Sequence, residues 1–231
     1  MSENIWNKNN LTTGNPLKVL ITFAFPYLLS SFMQTLYGMV DLFVVGLYND
    51  ASTTTAVSIG SQVMHMFTVI IMGLAMGSTV KIGYCMGAKD HETAAKTIGN
   101  SASFFITISL ALTVILLLFT KNITNLMLTP AESITQTNSY LMICFAGIPF
   151  IVTYNIISSI FRGLGDSKTP MYFVAIACVI NIVLDFLFIG GFRLGATGAA
   201  FATVLSQAFS SICALIIMKK RSFGFAIKKE D

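Results

Sequence analysis

Six apolar stretches, each long enough to cross a bilayer, fill residues 17–218 and leave only short polar joints between them. They cover 17–45, 56–80, 94–119, 133–160, 170–189 and 196–218. A helix rises about 1.5 Å per residue, so roughly 20 apolar residues span the hydrocarbon layer. The runs are continuous rather than alternating, which argues against transmembrane β-strands. An α-helix satisfies every backbone N–H and C=O within itself, as the bilayer interior demands. The spacing therefore predicts an all-α, polytopic membrane protein with six transmembrane helices. Composition excludes the soluble alternative. Only 10% of residues are charged and mean hydropathy is +0.76, whereas a soluble domain carries roughly 25% charge.

The basic residues set the expected orientation. Lys8, Lys18, Lys81, Lys89, Lys96, Arg162, Lys168, Lys219, Lys220, Arg221, Lys228 and Lys229 fall on one side of the six spans, and only Lys121 and Arg193 on the other. The positive-inside rule then puts both termini in the cytoplasm and the protein in the cytoplasmic membrane. Residues 1–16 form a cytoplasmic segment, 17–218 the six-helix lobe and 219–231 a basic cytoplasmic tail. The first apolar run is too long for the core of a cleaved signal peptide and lacks an A-x-A-like exit. The net charge of +4 is scattered between apolar runs, so the expected partner is the bilayer and not nucleic acid. Cys85, Cys144, Cys178 and Cys213 form no CxxC pair and read as small packing residues. No metal-ligand cluster, Ser/His/Asp arrangement or phosphate-cradling loop is present, so no enzyme activity or cofactor is expected.

Against that background "VINIVLDFLFIGG" (179–191) stands out, because it places Asp185 in an otherwise apolar run, four residues after Asn181. The twelve Leu, Ile, Val and Phe residues of 171–189 favour insertion by roughly 4–7 kcal/mol in total, and a central Asp costs about 2.5–3.5 kcal/mol. The helix inserts, but with much of its margin gone. The first span has a similar intrusion, "QTLYGMVDLFVVG", in which Gln34, Tyr37 and Asp41 share one helical face. Asp41 lies five residues before Gly46 and Asp185 five before Gly190. Both helices run the same way, so the two carboxylates sit roughly 7–8 Å from the same end of the bundle. Asn181 lies one turn deeper, and Thr203 of the sixth span, running back, comes level with it. A polar pocket between the first, fifth and sixth spans follows. Asp41, Asp185, Asn181 and Thr203 are the candidates to bind a proton or a cation such as Na⁺, and residue types leave both occupants open. Tyr37 is a candidate for the substrate pocket.

Other features carry milder expectations. Pro26 in "FAFPYLL" is a static kink or a bending point in the first helix. Gly73 and Gly77 in "GLAMG" lie one turn apart and suggest a close-packing face. His65 reads as a hydrogen-bonded packing residue, with a proton relay as the minor alternative. "GAKDHE" and "FRGLGDSKTP" suit helix ends and tight turns.

Taken in order, "FAFPYLL", "YGMVDLFVVG", "GYCMGAKDHETA", "FRGLGDSKTPM", "NIVLDFLFI" and "LGATGAAFATVLSQ" resemble the multidrug and toxic compound extrusion (MATE) family across nearly the whole chain. The resemblance implies one lobe of a two-lobed antiporter that exports organic, often cationic, compounds in exchange for H⁺ or Na⁺. It implies that Asp41 is the first-helix aspartate and that Asn181, Asp185 and Thr203 belong to the polar cluster of the amino-terminal lobe, with Gln34 a further member. Pro26 matches a first-helix proline whose bending has been linked to protonation, and Asp185 points to the DinF-like branch. Phe186 stands where many members have proline. The family has twelve helices in two lobes, so the resemblance also implies a second six-helix lobe, either the rest of a longer chain or a homo- or heterodimer partner. Two alternatives remain. A lipid-linked oligosaccharide flippase of the same superfamily would be expected to carry several cationic residues in its pocket, which the spans lack. A non-transporting membrane scaffold would tolerate Leu at the intramembrane polar positions.

Overall fold

The computed structural model describes residues 14–220; the expectations for 1–13 and 221–231, including Lys8, Arg221, Lys228 and Lys229, lie outside the described residues. The described part is helical and contains no strand. Eight α-helices follow in order: α1 Pro16–Tyr48, α2 Ala51–Gly87, α3 His91–Leu118, α4 Thr120–Leu126, α5 Ile134–Ala146, α6 Ile148–Gly163, α7 Lys168–Asp185 and α8 Gly195–Lys220. A π-helical segment, Phe186–Gly191, extends α7. Five helices are long and apolar enough to cross a membrane alone, and α5 with α6 makes a sixth crossing as a bent pair.

Local chemistry explains where the helices begin. Asn15 caps α1, accepting from Leu17 N at 3.0 Å, and Pro16 takes the first turn, where its missing N–H costs nothing. Asp50 caps α2, accepting from Thr53 N at 2.9 Å and Thr53 Oγ1 at 2.6 Å. Asp90 caps α3 through Thr93 N at 3.0 Å. In "GAKDHE" the left-handed position belongs to Lys89 (φ 60°), while Gly87 is the last residue of α2. In "FRGLGDSKTP" Gly165 takes φ 82°, and Asp166 accepts from Lys168 N, Thr169 N and Thr169 Oγ1, which starts α7.

The Asp50 cap yields a direct expectation. Its hydrogen bonds to Thr53 hold the carboxyl below its ordinary range. The contribution is therefore full above the unfolded value of about 4 and is lost as pH falls through the lower folded value. Asp50→Ala should lower the thermal midpoint at pH 7, and Asp50→Asn, a comparable cap, should recover most of it. Equal midpoints for Ala and parent would remove the cap from the account.

The fourth crossing, expected over 133–160, is a bent one. It bends by 49° between α5 and α6, at Gly147. Pro149 lacks the N–H that would bond Phe145 O, so the hydrogen-bond ladder is interrupted there. The bend aims α6 through the middle of the bundle, and Ile151, Val152, Ile156, Ile157, Ile160 and Phe161 are all buried. Hydroxyls stitch α6 to α2: Ser159 Oγ donates to Ala75 O at 2.6 Å and Thr79 Oγ1 to Ser159 O at 3.0 Å. Such bonds, with small residues at the contact, hold helices together where burial of apolar surface adds little.

Two expectations for α2 fail. Gly73 and Gly77 face open space, since a Cβ on either would meet nothing within 4 Å. The close approaches lie elsewhere. A Cβ on Gly163 of α6 would meet Thr79 O and Ile82 on the buried face of α2. The tight glycine of α2 itself is Gly60, against Tyr140 of α5, and Gly147 meets Val204 of α8. His65 is exposed beside Met66, and it is Val63 and Met64 that point inward. The outer surface is apolar, as a lipid-facing one must be: Leu20 is 65%, Phe43 66% and Leu118 75% exposed.

Candidate functional site

The site lies where α1, α7 and α8 meet. Apolar helices bring their few polar side chains together here because each would otherwise face hydrocarbon without a partner. Asp185 is fully buried at the last residue of α7, Asn181 is buried one turn before it, and Asp41 is buried on α1. Asp41 faces Asp185, Asn181 and Thr203 at once. Thr203 Oγ1, on α8, donates to Asp41 Oδ2 at 3.5 Å, the outer limit of a hydrogen bond. Four of the five residues assigned to ion binding from sequence therefore converge.

What marks the cluster chemically is its unspent hydrogen-bonding capacity. Asp41 Oδ1, both Asp185 oxygens, and Asn181 Oδ1 and Nδ2 are buried without a hydrogen-bond partner. Buried polar atoms in folded proteins are nearly always satisfied, and only two other side-chain atoms in the described residues, Gln136 Oε1 and Ser158 Oγ, share this condition. Two facing carboxyls cannot both remain charged without a cation between them. A proton shared by the pair, or a hard cation held by carboxylate, amide and hydroxyl oxygens, fits this donor set. Among the described residues no group of three or more His, Cys, Asp or Glu lies together in a way that could hold a metal ion, so any cation here would rest on two carboxylates with amide and hydroxyl oxygens.

Backbone geometry at Asp185 is unusual too. Where the resemblance led us to look for proline, Phe186 opens the π-helical turn, in which Phe192 N reaches back to Leu187 O at 2.9 Å. Such wide turns recur at functional sites. Here the turn begins at the residue that follows the buried carboxylate.

Gln34 is not brought into the cluster. It lies seven residues from Asp41, roughly 10 Å down α1, and lines a separate small pocket with Tyr27, Ser30, Asn155 and Arg162. Tyr37 stands between the two, facing Asp41 and the Gln207 side chain. Pro26 sits inside an unbroken helix, and Ser30 Oγ donates to its carbonyl at 2.7 Å. Sequence reasoning missed Gln207 and Arg162. Gln207 was within reach, since it follows Thr203 by one turn on the same face. Arg162 reads in sequence as a topological charge, yet its half-buried guanidinium, in the last turn of α6, sits 5.3 Å from the Tyr27 ring centre.

Comparison with known proteins bears on this arrangement. Residues 26–187 match the MatE family model. Among curated relatives, the chain is similar to the probable multidrug resistance protein YpnP of Bacillus subtilis (strain 168), at 32% identity over 221 residues, which is 95% of this chain and 50% of the relative. It is 28% identical to the multidrug export protein MepA of Staphylococcus aureus (strain NCTC 8325 / PS 47), over 89% of this chain and 46% of that one. Among solved structures, an outward-facing multidrug resistance MATE transporter of the MOP superfamily superimposes with a TM-score of 0.84 at 26% identity, covering 94% of this chain and 50% of that one. A MATE structure in a bent conformation matches to the same extent. The chain spans about half the length of the curated relatives it matches.

Proposed function

The chain belongs to the MatE family of multidrug efflux transporters and is a multi-pass membrane protein, and from that premise we propose that it is a cation-coupled antiporter lobe exporting organic, often cationic, compounds. The observation that carries this reading is the set of buried oxygens on Asp41, Asp185 and Asn181 left without partners. One H⁺ or Na⁺ bound there relieves the repulsion between the two carboxylates, leaving the pair with a single negative charge, and frees the helices to repack. A cationic substrate binding elsewhere on the transporter favours the unloaded state. Coupling requires that the two ligands prefer different states of the protein. The half-length match supports a second six-helix lobe as the structure that completes the substrate pocket. The basic residues support a cytoplasmic-membrane location with both chain ends inside.

Linkage supplies the test. If substrate and cation are antagonistic, adding a transported organic cation to the purified, complete transporter releases bound H⁺ or Na⁺. A pH-sensitive dye and a Na⁺ electrode in a weakly buffered sample would record the release. Saturating substrate binding with neither ion released would overturn the proposal.

A further inference from the structure

The polar residues of α1 do not stop at Asp41. Reading back along the helix, Asp41, Tyr37, Gln34, Ser30 and Tyr27 follow at intervals of four, three, four and three, which keeps them on one face. The row spans 14 residue steps, roughly 21 Å, from the aspartates toward the opposite end of the bundle. Neighbouring helices continue it. Gln207 of α8 faces Tyr37, and Asn155 of α6 lines the same pocket as Gln34 and Ser30. The column ends at Arg162, in the last turn of α6, whose guanidinium lies against Tyr27 in that pocket.

A polar column through a transporter lobe is a hazard as well as a route. A cation that reaches Asp41 and Asp185 from one side could continue down it to the other without any exchange for substrate. A fixed guanidinium, charged at every accessible pH, opposes that step. Pores that must exclude protons or cations use a single Arg in this way. Tyr27 holds the charge in place, because a guanidinium over an aromatic face is attracted by the ring and stiffened by stacking. Tyr27 also follows Pro26, so the contact sits at the point in α1 where a freed carbonyl leaves the helix easiest to deform.

We propose that Arg162, seated on Tyr27, is an electrostatic plug that closes the far end of the polar column and keeps cations bound at Asp41 and Asp185 from leaking through the lobe. The inference rests on the ion-binding reading given above. It adds a residue that never touches the cation in its bound position.

The experiment uses the complete transporter in liposomes with no organic substrate present. Proton entry is followed with an entrapped pH dye under a K⁺ diffusion potential, and Na⁺ entry with a tracer. Arg162→Gln should raise the substrate-free leak of one of these ions about tenfold, the order expected when one nearby like charge is removed from a partly screened path. Arg162→Lys, which keeps the charge, should remain close to the parent. Adding Asp185→Asn to Arg162→Gln should return the leak to the parental level, since the column then lacks its loading site. The proposal is overturned if Arg162→Gln is as tight as the parent, if Arg162→Lys leaks as much as Arg162→Gln, or if the leak ignores Asp185. Coupled efflux by the parent, with Arg162 intact, tests the antiport reading separately, so either idea can fail without the other.

Discussion

Asp185→Asn should reduce gradient-driven efflux by about 100-fold while leaving the protein folded. The substitution keeps shape and volume but removes the charge that a proton or Na⁺ neutralises. A hundredfold loss corresponds to about 2.7 kcal/mol, within what one buried hydrogen-bonded or ionic partner supplies. Asp41→Asn should lose a similar amount, and the double variant little more than either, because both act on one binding event. A second readout separates function from folding. Both oxygens of Asp185 are buried without hydrogen bonds, so the carboxylate is an expense to the resting fold. Asp185→Asn should therefore melt at or above the parental temperature while transporting poorly. Parental efflux rates in both single variants would end the ion-site assignment, and poor transport accompanied by a large drop in melting temperature would reduce Asp185 to a structural residue.

What could be read from the sequence follows the range of the physics involved. The crossings were legible because hydrocarbon imposes its thickness on each helix separately, so run length alone defines a span. Asp41, Asp185, Asn181 and Thr203 were legible because an intramembrane polar residue is costly wherever its helix packs, and depth can be counted from the helix end. Failures came where the answer depended on which face meets a neighbour. Gly73 and Gly77 have the spacing of a packing motif, but α2 presents a different face to α6. Gln34 lies on the face of Asp41, yet it is too far along the helix to share an ion with it. The 49° bend at Gly147 was foreshadowed by Pro149, whereas the π-helical turn after Asp185 had no local signal. Arg162 shows the limit most plainly. In sequence it is one more basic residue beside a turn, and only the assembled bundle sets it against Tyr27 at the foot of the polar column.

The packing face that the sequence misplaced makes the sharpest stability prediction. A Cβ built on Gly163 would lie 2.9 Å from Thr79 O and 2.9 Å from Ile82 Cβ, both across the α2–α6 contact. Neither neighbour can give way as a flexible side-chain tip would. Thr79 O is backbone, and Ile82 is fully buried. On the other side of the contact, a Cβ on Gly83 would meet Gly163 O at 3.5 Å, so the two helices approach backbone to backbone. Gly163→Val must therefore push α6 off α2 or unwind its last turn. Overpacking a close contact costs about 1–3 kcal/mol and occasionally more, and the immobile neighbours put this site at the upper end. Gly163→Val should lower the melting temperature sharply and cut the yield of monodisperse protein. Gly73→Val, made on the supposed packing motif, should leave both unchanged, because open space surrounds that position. If the two variants behaved alike, or Gly73→Val were the more damaging, the α2–α6 register would be wrong. Ser159, Thr79 and the stretch that delivers Arg162 to its pocket all depend on that register.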